Sequence, residues 1–360
     1  MKIAVLGSGN GGCAVAFDCA QHGHRVSLFD FEPFPDHIRE VNDAGGIYAE
    51  GDLEGFAPIH YAGHDIEEAL IDAEMIIAVG PAYSTLPFAK ACQPHLGKGQ
   101  MIVICPGSCA GSLEFKIGAG LAIDGSDIVV AETSTLPYAV RIIGPARIKV
   151  FLKLKDGLFV AAIPAKDTVK VLDALADIYP TLRSAQNILQ TSLQNGNPVI
   201  HPTVSLLNAA LIERTQGDFY FYEEGVTPAV GQLLKAIDQE RIAIGQRLGV
   251  EVIPEPAIGQ MQGYMKEMSY DRGYAEAPGF RGIKAQKSLN HRYIHEDVGY
   301  GLVFLQKLGE QIGVETPNIA AVIQLASTIM ERNYLAEAPR TMESLGLSEY
   351  SVDELRQVLG

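Results

Sequence analysis

Two polar clusters in the second half of the chain bring together residue types suited to proton and hydride chemistry. One is Asn195-Gly196-Asn197-Pro198-Val199-Ile200-His201-Pro202, and the other is His291-Arg292-Tyr293-Ile294-His295-Glu296-Asp297. Reduction of a carbonyl or imine by hydride needs a proton donor at neutral pH, and imidazole titrates there. A carboxylate on the other ring nitrogen fixes the tautomer and stabilises the imidazolium. Asp297 or Glu296 could supply it. A substrate carboxylate is gripped in a planar, bidentate way by a guanidinium, which Arg292 offers. Taken alone, a histidine between apolar residues and a proline, just before a helix, reads equally well as a satisfied core residue. The pairing with a carboxylate far away in sequence, Asp297 or Glu296, is what points to catalysis, and it requires a tertiary contact.

The hydride must come from a dinucleotide, and the amino terminus carries the pattern for one. Gly7-Ser8-Gly9-Asn10-Gly11-Gly12 fits G-x-G-x-x-G, directly after a strand-like run and at the opening of a helix-like one. Gly7 allows the tight turn, Gly9 lets backbone approach a pyrophosphate, and Gly12 lets the helix pack on the strand. The free N–H groups at the helix start then face the phosphates. Asp30 closes the second strand at the spacing expected of the acidic residue that accepts from the ribose hydroxyls. Its charge repels a 2′-phosphate, and Phe31-Glu32-Pro33-Phe34-Pro35 offers no Arg or Lys to hold one, so NAD is expected over NADP. Gly80-Pro81-Ala82 and Pro106-Gly107-Ser108 follow later strands and are placed to line the nicotinamide side, with Pro81 the residue singled out.

These motifs need elements to position them. Ile3–Leu6, Val26–Phe29, Met75–Val79, Met101–Cys105 and Ile128–Ala131 read as buried strands, with Asn10–His22, Phe34–Asp43 and Tyr83–Cys92 as helices between them. That alternation argues for an α/β fold with a parallel sheet and helices on both faces. Ile148–Leu154 and Leu158–Ile163 read as two more strands around Lys155-Asp156-Gly157, and Ala165–Ile178 as a helix. Beyond about residue 185, Val204–Arg214, Thr227–Leu248, Ala257–Met268, Val298–Ile312 and Asn318–Arg332 all have helical spacing. Thr227 suits an N-cap, Pro228 a first turn and Gly249 a helix stop. The expectation is therefore a Rossmann dinucleotide-binding domain over residues 1–185 and a mostly α-helical substrate and catalytic domain over 186–360. Residues 268–292, rich in Gly, Tyr and charge, read as a long connection near the site. Tyr220, Phe221 and Tyr222 read as packing or interface aromatics, and His22, His24 and His37 as surface residues.

Composition narrows the class. The chain has 360 residues, of which 47% are hydrophobic and 20% charged, which excludes wholesale disorder. Its net charge of −15, without a basic run, argues against nucleic-acid or anionic-membrane binding. Five cysteines, Cys13, Cys19, Cys92, Cys105 and Cys109, form neither a disulfide framework nor a metal-site pattern, so no metal is expected. With no leader-like start and no membrane-length apolar stretch, the expected compartment is the cytoplasm. Exposed helices in the second half make a homodimer the expected assembly.

Gly7–Gly12, Asn197-Pro198 followed by His201-Pro202, Leu207-Asn208, Phe221-Tyr222 with Gly225 and Thr227-Pro228, and Arg292-Tyr293-Ile294 with Glu296-Asp297 together resemble the octopine/nopaline dehydrogenase family of opine dehydrogenases. The resemblance covers nearly the whole chain. It implies a Rossmann domain, a helical opine dehydrogenase domain, and NAD(P)H-dependent reduction of the imine formed from an amino acid and an α-keto acid such as pyruvate. It also implies that His201 is the catalytic histidine, Asp297 its partner and Arg292 a substrate-carboxylate ligand. On this reading the Rossmann domain closes against the helical one to exclude water. A plain 2- or 3-hydroxy acid dehydrogenase would need the same residue types. A non-catalytic dinucleotide sensor would need no proton donor.

Overall fold

The computed structural model describes residues 1–359. It divides into two compact units, one from Met1 to Thr191 joined by the end of the chain from Val358, the other from Ser192 to Gln357.

The strands of the first unit are β1 (Lys2–Leu6), β2 (Arg25–Phe29), β3 (Gly46–Gly51), β4 (Gly55–Pro58), β5 (Tyr61–Gly63), β6 (Met75–Ala78), β7 (Met101–Ile104), β8 (Val129–Thr133), β9 (Tyr138–Gly144), β10 (Arg147–Lys153), β11 (Phe159–Ile163) and β12 (Arg183–Ser184). An eight-stranded sheet runs β12-β11-β8-β7-β6-β1-β2-β5. From β5 to β8 it is parallel throughout. Continuous apolar sequence such as Met75-Ile76-Ile77-Ala78, buried at every position, is what a sheet covered on both faces requires. The order of these six strands reverses between β1 and β6, the topological switch point at whose carboxyl edge a dinucleotide binds.

Two expectations need correction. The sheet is not purely parallel, because β11 runs antiparallel to β8. The runs 148–154 and 158–163 do form strands around a turn, yet β10 and β11 belong to different sheets. β10 lies in a second, four-stranded sheet of order β4-β3-β10-β9 that the sequence reading missed. β3 and β4 are rich in glycine and half exposed, so they lack a strong apolar run, and the β9–β10 ladder breaks register twice. The helices of this unit are α1 (Asn10–Gln21), α2 (Pro35–Ala44), α3 (Ile66–Leu70), α4 (Thr85–Cys92), α5 (Gly111–Gly118), α6 (Thr168–Leu175) and α7 (Ile188–Leu193). Helix α1 packs against β1 and β2 of the large sheet and against all four strands of the small one. That explains why Gly12 through Cys19 are all buried. Its buried Asp18 is answered by the Lys153 ammonium and the Tyr138 hydroxyl, each at 2.6 Å.

The second unit is helical: α8 (Asn197–Leu207), α9 (Ala209–Thr215), α10 (Pro228–Leu248), α11 (Glu255–Gln262), α12 (Arg272–Ala275), α13 (Arg292–Glu296), a π-helical run Asp297–Leu302, α14 (Val303–Ile312) and α15 (Pro317–Ile329). Helix α10 begins and ends as its sequence specifies. Thr227 caps it by accepting from the Val230 N–H, Pro228 takes the first turn, and Gly249 stops it in the left-handed region at φ 69°. The segment expected to be helical over 257–268 stops at Gln262 instead, because Gly263 adopts φ 91°. Among the described residues, no helix is long and apolar enough to cross a membrane.

Candidate active site

At the switch point, the three glycines of the first loop do separate jobs. Gly7 has φ +105°, and a Cβ there would lie 2.1 Å from the Val79 carbonyl oxygen. A Cβ on Gly12 would lie 1.8 Å from the Gly7 carbonyl oxygen, so the helix could not approach the strand end. A Cβ on Gly9 would meet nothing within 4 Å, which leaves its face open to an approaching group. Helix α1 then starts with no side-chain cap and no acidic residue in its first turn, a combination that favours an anion. Asp30 is buried against this loop, where the Ser8 N–H and Ser8 hydroxyl both donate to Oδ2 at 2.7 Å and the Phe31 N–H donates to Oδ1 at 2.8 Å. Asn10 differs from its neighbours. Its side-chain Oδ1 accepts from the Ile142 N–H at 2.7 Å, which ties α1 to β9. Gly11 faces Leu136, whose Cδ1 would lie 2.9 Å from an added Cβ. Pro81 follows β6 in extended backbone, and its carbonyl accepts from Ser84. The next loop is tied down by Glu132, whose carboxylate accepts from Ser112 and Thr191 and packs where a Cβ on Gly107 would sit. These residues fit a dinucleotide: an open backbone face, unpartnered helix-start N–H groups and a carboxylate at the end of β2.

The second unit assembles the proton-handling groups. His201 lies inside α8, not before it. Two prolines near it suggest a boundary, but Pro198 occupies the first turn, where its missing N–H costs little, and Pro202 follows one turn later. His201 Nδ1 lies 2.9 Å from Asp297 Oδ2, and both side chains are nearly inaccessible at 7% and 5%. The carboxylate that faces the imidazole is thus Asp297 rather than Glu296. Asp297 opens the π-helical run, whose wider turn is fitted to α8 by Gly301: a Cβ there would lie 2.4 Å from Pro198 Cγ. Burial pushes the Asp297 carboxyl up to about 7, against the pull of the Arg292 guanidinium.

Arg292 is the least enclosed of the three, with 45% of its side chain accessible. It lies 3.3 Å from Glu296 and places its guanidinium carbon 5.3 Å from the Tyr293 ring centre. The Tyr293 ring in turn stacks on the His201 imidazole at 3.8 Å and 16°.

Tyr222 departs from its packing assignment. Phe221 is a core residue, but the Tyr222 hydroxyl lies 3.2 Å from His201 Nε2. The turn that carries it is held by Asn208, whose Nδ2 donates to the Gly225 and Val204 carbonyls at 2.9 Å. Gly225 itself is required, since a Cβ would lie 2.3 Å from the Phe221 carbonyl oxygen. The spaced residues Asn208, Tyr222 and Gly225 were thus visible as a pattern, but only coordinates reveal that the pattern aims a phenol at the imidazole. Among the histidines read as surface residues, His24 is also different: its side chain is 8% accessible and pairs with Asp177 at 3.0 Å.

Comparison with known proteins agrees with this architecture. Residues 184–330 match the α-helical domain of the NAD/NADP octopine/nopaline dehydrogenases, and residues 2–109 match the amino-terminal part of NAD-dependent glycerol-3-phosphate dehydrogenase. Over 99% of its length the chain is 36% identical to an opine dehydrogenase of Arthrobacter sp. (strain 1C), of which 98% is covered. The chain belongs to the opine dehydrogenase family. It is accordingly an NAD(P)-dependent oxidoreductase acting on the CH–NH group of donors. Its fold is that of octopine dehydrogenase in complex with NADH and agmatine, with a TM-score of 0.79 at 18% identity over 98% of this chain and 97% of the other. Yersinopine dehydrogenase with NADP⁺ bound is also similar, with a TM-score of 0.69 at 17% identity over 100% and 97%.

Proposed function

We propose that this opine dehydrogenase condenses an α-keto acid such as pyruvate with the amino group of an amino acid and reduces the resulting imine at the expense of NADH. The 2.9 Å contact between His201 and the buried Asp297 carries the reading, because it supplies an oriented acid/base in a family defined by this reaction. Residues 1–185 act as the dinucleotide domain and 186–360 as the substrate and catalytic domain. Gly7, Ser8, Gly9, Asn10, Gly11, Gly12, Asp30 and Pro81 would hold NAD. Bound NADH supplies the hydride. Arg292 holds the keto acid carboxylate, and its accessible guanidinium suits a ligand from solution. His201 takes a proton from the amine and is the source of the one that leaves with the oxygen as water, while Asp297 holds the ring and offsets its charge. The same reading has the enzyme working as a homodimer in the cytoplasm, where its five free, buried cysteines remain reduced.

The test is NADH absorbance over a matrix of keto acids and amino acids. Consumption is expected only when both are present, and NADPH is expected to serve less well because of Asp30. Oxidation of NADH by keto acid alone, at the rate seen with both, would make the protein a hydroxy acid dehydrogenase instead.

The same assay tests the seam between α8 and the π-helical run. Gly301→Ala should push Pro198 and Asp297 apart and lower kcat on the order of 10²-fold, the cost of an ångström-scale misplacement. Unchanged kcat would show that the seam does not set the His201–Asp297 geometry.

A further inference from the structure

The His201 imidazole turns its two nitrogens to two different acids. Nδ1 faces Asp297 at 2.9 Å, and Nε2 faces the Tyr222 hydroxyl at 3.2 Å. One flat neighbour, Tyr293, covers the ring at 3.8 Å, and Phe221 meets it edge-on at 6.2 Å. A proton leaving Nε2 therefore meets a phenol oxygen. That oxygen can accept from the imidazolium or donate to the neutral ring, so it suits both states of His201.

Tyr222 is also held within a stack of aromatic rings. Its ring stacks on Phe280 at 4.2 Å and 15°, and Tyr264 stacks on Phe280 in turn at 4.7 Å and 17°. Tyr274, parallel to Tyr222 at 13°, is anchored by its hydroxyl, 3.3 Å from the buried Glu255 carboxylate. Three aromatics from residues 264–280 thus hold one phenol in register with Nε2. A phenylalanine would fill the same stack without the cost of burying a hydroxyl.

We infer that Tyr222 is the outer member of an Asp297–His201–Tyr222 proton relay, its hydroxyl delivering the proton to the oxygen lost when the amine and keto acid condense. The inference rests on the reductive condensation proposed above. In the step, the Tyr222 proton moves to the carbinolamine hydroxyl and the C–O bond breaks, its electron pair leaving with water. The nitrogen lone pair closes the C=N bond, and the Nε2 proton of the imidazolium refills the Tyr222 oxygen. His201 is left neutral with Nδ1–H on Asp297.

Tyr222→Phe keeps the ring stack and removes only the hydroxyl. In steady-state assays with keto acid, amine and NADH, kcat should fall about 100-fold with both KM values held within a few-fold. Loss of water then limits turnover, so the primary isotope effect with 4-deuterated NADH should collapse toward one. Undiminished kcat, a loss carried by KM, or a loss that keeps the isotope effect would each overturn the relay, the last because it places the damage at hydride transfer. Thermal melting and NADH affinity like those of the parent enzyme check the fold, and Tyr222→Leu should lose as much kcat. Wild-type activity separates the two ideas: no condensation by the parent removes the activity itself, whereas an active parent with an unimpaired Tyr222→Phe removes the relay alone.

Discussion

His201→Ala should lower kcat for condensation by about 10²–10⁴-fold while leaving NADH affinity unchanged. The size follows from what the imidazole does in the site. In the proposed mechanism it accepts a proton from the incoming amine and supplies the one that leaves with the oxygen, and its two ring nitrogens face Asp297 and Tyr222. The selectivity follows from architecture. The glycine loop and Asp30 belong to the compact unit ending at Thr191, whereas His201 belongs to the unit beginning at Ser192. Removing the imidazole also leaves Asp297 buried without its partner. Burial already holds that carboxyl up at about 7, which limits the cost of an unpaired charge and leaves mainly that of a cavity between Tyr293 and Tyr222. Steady-state kinetics and NADH fluorescence titration check both halves. An alanine variant that turns over at the parent rate would remove His201 from acid/base chemistry.

Much of this arrangement was legible in the sequence because local rules dominate there. The β1–α1 turn is specified by glycines whose steric roles survive inspection atom by atom, and the α10 boundaries follow from Thr227, Pro228 and Gly249. Chemistry called for an orienting carboxylate on His201, since a reductase needs such a proton donor, but left Asp297 and Glu296 open until the family resemblance selected Asp297. What could not be read depended on non-local packing. The small sheet of β3, β4, β9 and β10 is stabilised by burying α1 between two sheets, so its own strands carry weak signals. The prolines around His201 look like a helix boundary and are instead the first turn and interior of α8. The role of Tyr222 depends on a turn closed by Asn208 and Gly225 and on rings supplied from 264–280, none of which has a periodic signature.

Asp297→Asn should separate stability from activity in opposite directions. Burial raises the carboxyl to about 7 in the folded protein, above its ordinary value of 3.8. The sign follows from proton linkage. Between these two values the folded state holds a proton that the unfolded chain has released, so stability contributed by this group falls as pH rises through that window and stays low above it. Asparagine cannot ionise, so the variant should lose this part of the pH dependence and be relatively more stable near pH 8 than near pH 5. The carboxamide also fits the space of the carboxyl. Catalysis should move the other way. An amide can present N–H to Nδ1, which forces the ring proton onto Nε2 and leaves no carboxylate to offset the imidazolium. A fall in kcat of about 10²–10⁴-fold is expected. Thermal denaturation from pH 5 to 9 beside steady-state kinetics reads both effects on one preparation. If the variant retained the parent's kcat, or lost stability in proportion as pH rose, Asp297 would be a packing residue and His201 would need another orienting group.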